Sequence, residues 1–103
     1  MLFQVNYRTR VGGSAQEMHD AAKRGLALFS KWSPPAGMEI KSFYARADGN
    51  GGTVIVDTND VKALADGPTK FGFLNDFEIV PILDITEGTA IGAESAAWVD
   101  ANS

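Results

Sequence analysis

The sequence predicts a small α+β sandwich, in which one antiparallel sheet carries helices on a single face. Three observations lead to this prediction. Four segments have the apolar pattern and composition of strands, and two intervening segments have the residue spacing or capping residues of helices. A glycine-rich turn, DGNGG at residues 48–52, joins the two middle strands. Its Asp-Gly and Asn-Gly pairs supply the positive φ angles that hairpin turns need.

The first strand and the first helix have the clearest patterns. Over residues 2–8, Phe3, Val5 and Tyr7 alternate with polar residues, which predicts a strand with one apolar face. Ser14 and Glu17 form a capping box that begins a helix extending to about residue 31. An apolar stripe along this helix consists of Met18, Ala22, Gly25, Leu26 and Phe29.

The remaining elements follow from turn and capping residues. A short helix over 61–65 begins at Asn59 or Asp60, and Gly67-Pro68 is expected to end or kink it, because proline interrupts helical hydrogen bonding. Residues 69–74 are then either a second helical turn or a loop. Pro81 also places the last strand at a sheet edge. The other predicted elements are strands over 38–47, 53–57 and 77–85 and a third helix within the tail 86–103. Residues 1–103 thus form one domain with a helical tail.

The order β-α-β-β-α-β is that of the ferredoxin-like split βαβ unit. Right-handed crossovers then give the strand order 4-1-3-2, with both helices on one face and the other face open. The last strand is apolar on both sides although it lies at an edge, and a domain of 103 residues buries a modest core. We therefore predict a homodimer formed through the open sheet face.

Three segments resemble a bacterial family of domains of unknown function within the dimeric α+β-barrel superfamily. The segments are MLFQVNYRTR, ALFSKWSPPAGMEIKSFYARADGNGG and FEIVPILDI. The superfamily includes small monooxygenases, muconolactone isomerases, polyketide cyclases and stress-response barrels. The resemblance implies the fold and a dimer, and it carries no catalytic motif.

The composition excludes several classes of function. A net charge of −4 with scattered basic residues argues against nucleic-acid binding. The absence of cysteine excludes thiolate metal sites and disulfides and predicts a cytoplasmic location. His19 is the only histidine, beside charged residues on a helix flank, so we interpret it as a surface residue and predict neither a metal nor a cofactor. No segment approaches the ~20 apolar residues of a membrane span.

The open sheet face is where we predict a ligand site. If Phe3, Val5 and Tyr7 face the helices, Asn6 faces the open side. Tyr44 and Arg46 of the second strand share that face with Asp57 of the third strand under one of the two alternation phases that the second strand allows. A buried Arg46 would need Asp57 or an anionic ligand as its partner. The alternative is that these polar residues form a hydrogen-bonded network across the dimer interface.

The function predicted from these residues is binding of a small apolar or aromatic molecule. A cofactor-independent monooxygenase, isomerase or cyclase needs only a shaped apolar cavity with one or two polar groups. The alternative is a non-catalytic interaction or regulatory module whose sheet face serves homodimer assembly. Trp32, before Pro34-Pro35, either covers a pocket or fills the junction between helix and sheet.

Overall fold

The computed structural model describes all 103 residues and has the predicted element order. The elements are β1 (Leu2–Thr9), α1 (Ala15–Phe29), β2 (Met38–Ala45), β3 (Gly51–Thr58), α2 (Val61–Lys70), β4 (Asn75–Ile82) and α3 (Ile85–Asn102). The strands form one antiparallel sheet in the order β2-β3-β1-β4. This confirms the ferredoxin-like topology, and it confirms β4 as an edge strand.

The helix starts are confirmed, and α2 extends beyond the residues 61–65 predicted for it. The Ser14 side chain accepts a hydrogen bond from the Glu17 amide at 3.1 Å, and Asp60 caps α2 through the Lys62 amide at 2.9 Å. We expected Gly67-Pro68 either to end α2 or to kink it, and α2 continues to Lys70 with Pro68 inside it. Proline has a φ angle compatible with a helix, so near the end of α2 it removes only one hydrogen bond without ending the helix.

An irregularity in β2 decides which of its side chains face the helices. Ile40 is paired with Val56 and Ser42 with Ile55, so one extra residue lies between them in β2. Such a bulge reverses the alternation that follows it. Phe43 therefore shares the helix side with Val54, whereas Tyr44 faces the open side.

The buried core is small and lies between the sheet and α2. It consists of Val5, Val54, Val56 and Leu64, with partly buried apolar neighbours around them. Only 10 of the 103 residues are buried, and none of them belongs to α3. No helix combines the length and apolar character that crossing a membrane would require. The helix-facing side of the sheet is thus the apolar side, and α1 covers it incompletely.

Candidate functional site

An apolar cavity of about 480 Å³ lies between the helices and the sheet. Sixteen of its 23 lining residues are hydrophobic. All four strands of the sheet supply its floor, and α1, α2 and the segment after α2 supply its walls. The bulge in β2 matters here, because it places both Ile40 and Phe43 in the lining.

Aromatic rings in edge-to-face and stacked contact form one wall of this cavity. The ring of Phe43 lies 6.2 Å from that of Tyr7 and 5.8 Å from that of Phe29. Phe29 is stacked on Trp32 at 6.1 Å, and Phe71 contacts both of these rings at 6.0 and 6.2 Å. Such contacts orient the rings beyond what burial alone would do. The wall presents ring faces and edges suited to an aromatic ligand.

Trp32 is held in the wall by Asp66 of α2. Its indole N–H donates to the Asp66 carboxylate at 2.8 Å, and the Lys70 ammonium lies 3.0 Å from the other oxygen of that carboxylate. The hydrogen bond from Trp32, followed by the one from Lys70, lowers the pKa of Asp66 below its ordinary value. Trp32 therefore forms part of the cavity wall and is hydrogen-bonded to α2.

Tyr7 is the only titratable residue in the cavity lining. Its hydroxyl has no hydrogen-bond partner within the chain, and no buried side-chain atom is left unsatisfied, so this hydroxyl keeps some solvent-accessible surface. The phenol is neutral at pH 7 because the ordinary pKa of tyrosine is about 10, and burial raises the pKa of Tyr7 further. The ring lies against Gly52, where a Cβ atom would collide with the hydroxyl. Tyr7 therefore offers a neutral hydrogen-bond donor to the cavity.

The cavity is open because α1 stands away from the sheet. Gly25 is the only buried residue of α1, and a Cβ atom there would collide with the Leu74 side chain. Leu26 and Phe29 line the cavity, yet they remain 73% and 45% exposed. The predicted apolar stripe of α1 thus faces the cavity without filling it.

The four predicted site residues lie outside this cavity and have other partners. Asn6 donates to the Glu78 carboxylate at 3.1 Å and accepts from the Thr53 hydroxyl at 2.7 Å, both within one chain. Tyr44 is 64% exposed on the open face. The other two, Arg46 and Asp57, form separate ion pairs.

Arg46 pairs with a residue that is neither of its two expected partners, Asp57 and an anionic ligand. The Arg46 guanidinium makes two hydrogen bonds to Asp48 of the hairpin turn, at 3.1 and 2.6 Å, because the turn brings that carboxylate close. Asp57 instead lies 2.9 Å from the amino group of Met1, which lowers the pKa of Asp57. Asp57 also lines a polar depression of about 390 Å³ that none of the other three residues lines. A ligand role for Asn6, Tyr44, Arg46 and Asp57 stays a prediction.

A protein-family model matches most of this chain. The family model described as Domain of unknown function (DUF3303) covers residues 1–96. The chain belongs to this family. The comparison with curated proteins gives no match to the DUF3303 chain.

Two solved structures are similar to the DUF3303 chain at low identity. The "Structure of Rv0793 from Mycobacterium tuberculosis" is 12% identical, covering 81% of this chain and 95% of that chain, with a TM-score of 0.37. SnoaB, a cofactor-independent oxygenase from Streptomyces nogalater, is 20% identical, covering 81% and 93% of the two chains, with a TM-score of 0.34. At this level of similarity neither structure informs the function of the DUF3303 chain.

Sequence reasoning missed the cavity although it placed its main residues on the helix side. The alternation in β1 directs Tyr7 toward the helices, and the helical spacing in α1 directs Phe29 toward the sheet. Neither pattern gives the distance between α1 and the sheet, so we expected a filled core between them. His19 is exposed on α1 and does not line the cavity. No group of three or more metal-ligating side chains occurs in the DUF3303 chain.

Proposed function

We propose that this DUF3303 protein binds a small, uncharged aromatic molecule in the cavity between helices and sheet. The observation that carries this proposal is an apolar cavity whose single titratable group is the Tyr7 hydroxyl. Its volume lies within the ~300–1,000 Å³ of ligand pockets, which combine apolar walls with a few polar groups that orient the ligand. The ligand then occupies the side of the sheet opposite to Asn6 and Tyr44.

The lining defines the chemistry of the ligand. It contains no carboxylate and no cation, so a charged ligand would lose its hydration without gaining a partner. The aromatic wall of Phe29, Trp32, Phe43 and Phe71 favours a planar ring. Tyr7 stays protonated at neutral pH and donates a hydrogen bond, so a ligand with one carbonyl oxygen suits this site.

The free Tyr7 hydroxyl also supports a second candidate, catalysis without a cofactor. A hydrogen bond to a ligand carbonyl would strengthen as that oxygen gains charge, as in formation of an enolate. Because no other titratable group lines the cavity, Tyr7 would have to serve both as proton donor and as proton acceptor in an isomerase or cyclase. Ligand binding needs only the first of these roles and is therefore our primary proposal.

Matched ligands and matched tyrosines test the binding proposal. Trp98→Phe leaves Trp32 in the cavity wall as the only tryptophan, so its fluorescence reports occupancy. In this background we expect 2-acetonaphthone to bind more tightly than 2-ethylnaphthalene, which has a similar shape but lacks the carbonyl oxygen. A hydrogen bond of about 0.5–1.5 kcal/mol corresponds to a roughly two- to tenfold preference. Tyr7→Phe should abolish this preference, whereas Tyr44→Phe should preserve it.

The outcomes also decide between the two faces of the sheet. If Arg46→Met abolishes binding and Tyr7→Phe does not, the ligand lies on the open face, as the sequence predicted. If neither naphthalene perturbs Trp32 and native mass spectrometry of the purified protein finds no retained molecule, the binding proposal is wrong. Turnover of a retained molecule, lost in Tyr7→Phe, would establish the catalytic candidate.

A further inference from the structure

The DUF3303 chain exposes far more surface than a folded monomer of its size. A globular monomer of 11.0 kDa is expected to expose about 5,600 Å². This chain exposes 7344 Å². Its radius of gyration is 18.0 Å, whereas about 13 Å is expected for a compact chain of this length. The difference in area, roughly 1,700 Å², exceeds the ~800 Å² that each partner buries in a standard protein interface.

The helix α3 accounts for much of this surface. It has 18 residues, so it is about 27 Å long, and none of its residues is buried. Ile91, Trp98 and Val99 each expose more than half of their side-chain surface. Packing supplies most of the stability of a helix in a protein, and no residue of α3 is buried within its own chain. α3 therefore needs a surface to pack against.

The cavity mouth is the second uncovered apolar surface. Leu26 and Phe29 of α1 are exposed there beside Phe43 of β2. One chain thus has both an uncovered apolar helix and an uncovered apolar groove, and two identical chains can cover both by reciprocal exchange. Such an isologous pair is closed and does not polymerise.

The charges of the two surfaces are complementary. From Ile85 to Asn102, α3 carries Glu87, Glu94 and Asp100 and no lysine or arginine. Residues 21–38, which include Leu26 and Phe29, carry three cations, Lys23, Arg24 and Lys31, and the nearest carboxylates, Asp20 and Glu39, lie at the two ends of this segment. All six charged side chains within the two segments are exposed, and none forms an ion pair within the chain. This opposition identifies a second copy of α3 as an occupant suited to the groove.

We infer that the DUF3303 protein is a homodimer in which α3 of each chain packs across the cavity mouth of the other. The interface is distinct from the open sheet face that the sequence suggested. It also completes the candidate site, because the partner subunit closes the side along Leu26 and Phe29. The inference stands on surface and charge, so it does not depend on whether the cavity binds a ligand.

Two charge-reversed chains test this arrangement. The α3-reversed chain carries Glu87→Lys, Glu94→Lys and Asp100→Lys. The α1-reversed chain carries Lys23→Glu and Lys31→Glu, and it retains Arg24 because that guanidinium lies over Phe73. Each chain alone brings like charges together at the interface, so at low salt its dimerisation should weaken by about tenfold or more, measured by sedimentation velocity. Mixing the two chains should restore a dimer that contains one copy of each.

Restoration on mixing shows that both variants are folded and that the two charged surfaces meet. Three results would each overturn the inference. The natural chain could remain a monomer at micromolar concentration, or both reversed chains could dimerise as strongly as the natural chain, which would place the interface elsewhere. A monomer with a radius of gyration near 13 Å by X-ray scattering would show α3 folded onto its own chain.

Discussion

The sheet with α2 and the pair α1 and α3 are built from similar amounts of apolar sequence but reach different degrees of burial. Every buried hydrophobic residue, such as Val5, Val56 and Leu64, belongs to the sheet or to α2. In α1 only Gly25 is buried, and in α3 no residue is buried. Apolar content therefore does not identify the core of this protein. What distinguishes the two regions is whether a complementary surface lies within the same chain.

The difference assigns stability and binding to separate parts of the molecule. The sheet and α2 pack against each other, so their stability does not require a ligand or a partner. In contrast, α1 and α3 expose apolar side chains whose burial would come from a ligand in the cavity or from a second copy. Substitutions in the first region should change unfolding of the isolated chain, and substitutions in the second should mainly change association.

The largest effect should come from the packed region. Leu64 is buried on α2, so Leu64→Ala should lower the free energy of unfolding by about 2–5 kcal/mol through lost burial and the cavity that remains. Val61 lies on the same helix and is 75% exposed, which makes Val61→Ala the matched control, with an expected change within about 0.5 kcal/mol. Urea denaturation measures both. Equal effects of the two substitutions would show that α2 is not packed as described.

A smaller effect should come from the aromatic wall on α1. The sequence pattern alone suggests a fully buried phenylalanine, for which Phe→Ala costs about 3–5 kcal/mol. Because Phe29 is half-exposed, we expect Phe29→Ala to cost about 1–2 kcal/mol in the chain without ligand or partner. A ligand that stabilises the natural protein should stabilise this variant less, measured as the shift in melting temperature. A cost as large as that of Leu64→Ala would mean that α1 is closed over the sheet in solution.

The sequence predicted the fold well because the fold depends on local patterns. The alternation of Phe3, Val5 and Tyr7, the Ser14 capping box and the hairpin turn each act within a few residues, and each is found in the structure. The end of α2 was left open because tolerance of Pro68 depends on its position near the helix terminus. The bulge at Lys41 was missed because it adds a residue to a pattern that reads as continuous.

The candidate site was harder to predict because it depends on distances between elements. Arg46 forms its ion pair with Asp48 because the hairpin turn brings these two side chains together. The cavity depends on the distance between α1 and the sheet, and the periodicity of apolar residues in the sequence does not predict that distance. Trp32 and Asp66 are 34 positions apart, so their hydrogen bond was also beyond pattern analysis.

The smallest effect concerns this contact between the two regions and its dependence on pH. The pKa of Asp66 is lowered in the folded chain by the hydrogen bond from Trp32 and then by that from Lys70. A carboxyl group with a lowered folded pKa contributes stability that is fully present above its unfolded pKa, about 3.9. That contribution disappears as the pH falls through the folded value. Protonated Asp66 can no longer attract Lys70, and it accepts the indole hydrogen bond more weakly.

Asp66→Asn should therefore be less stable than the natural chain at pH 7 and equally stable at sufficiently low pH. Asparagine has nearly the shape of the protonated acid, so the variant isolates the charge from the packing. Urea midpoints at pH 7, 5, 4 and 3, followed by Trp32 fluorescence in the Trp98→Phe background, should converge as the pH falls. Some acid dependence should persist in the variant, because the pKa of Asp48 is also lowered, by the Asn50 amide and Arg46. Parallel curves at every pH would contradict a role of the Asp66 charge in holding Trp32.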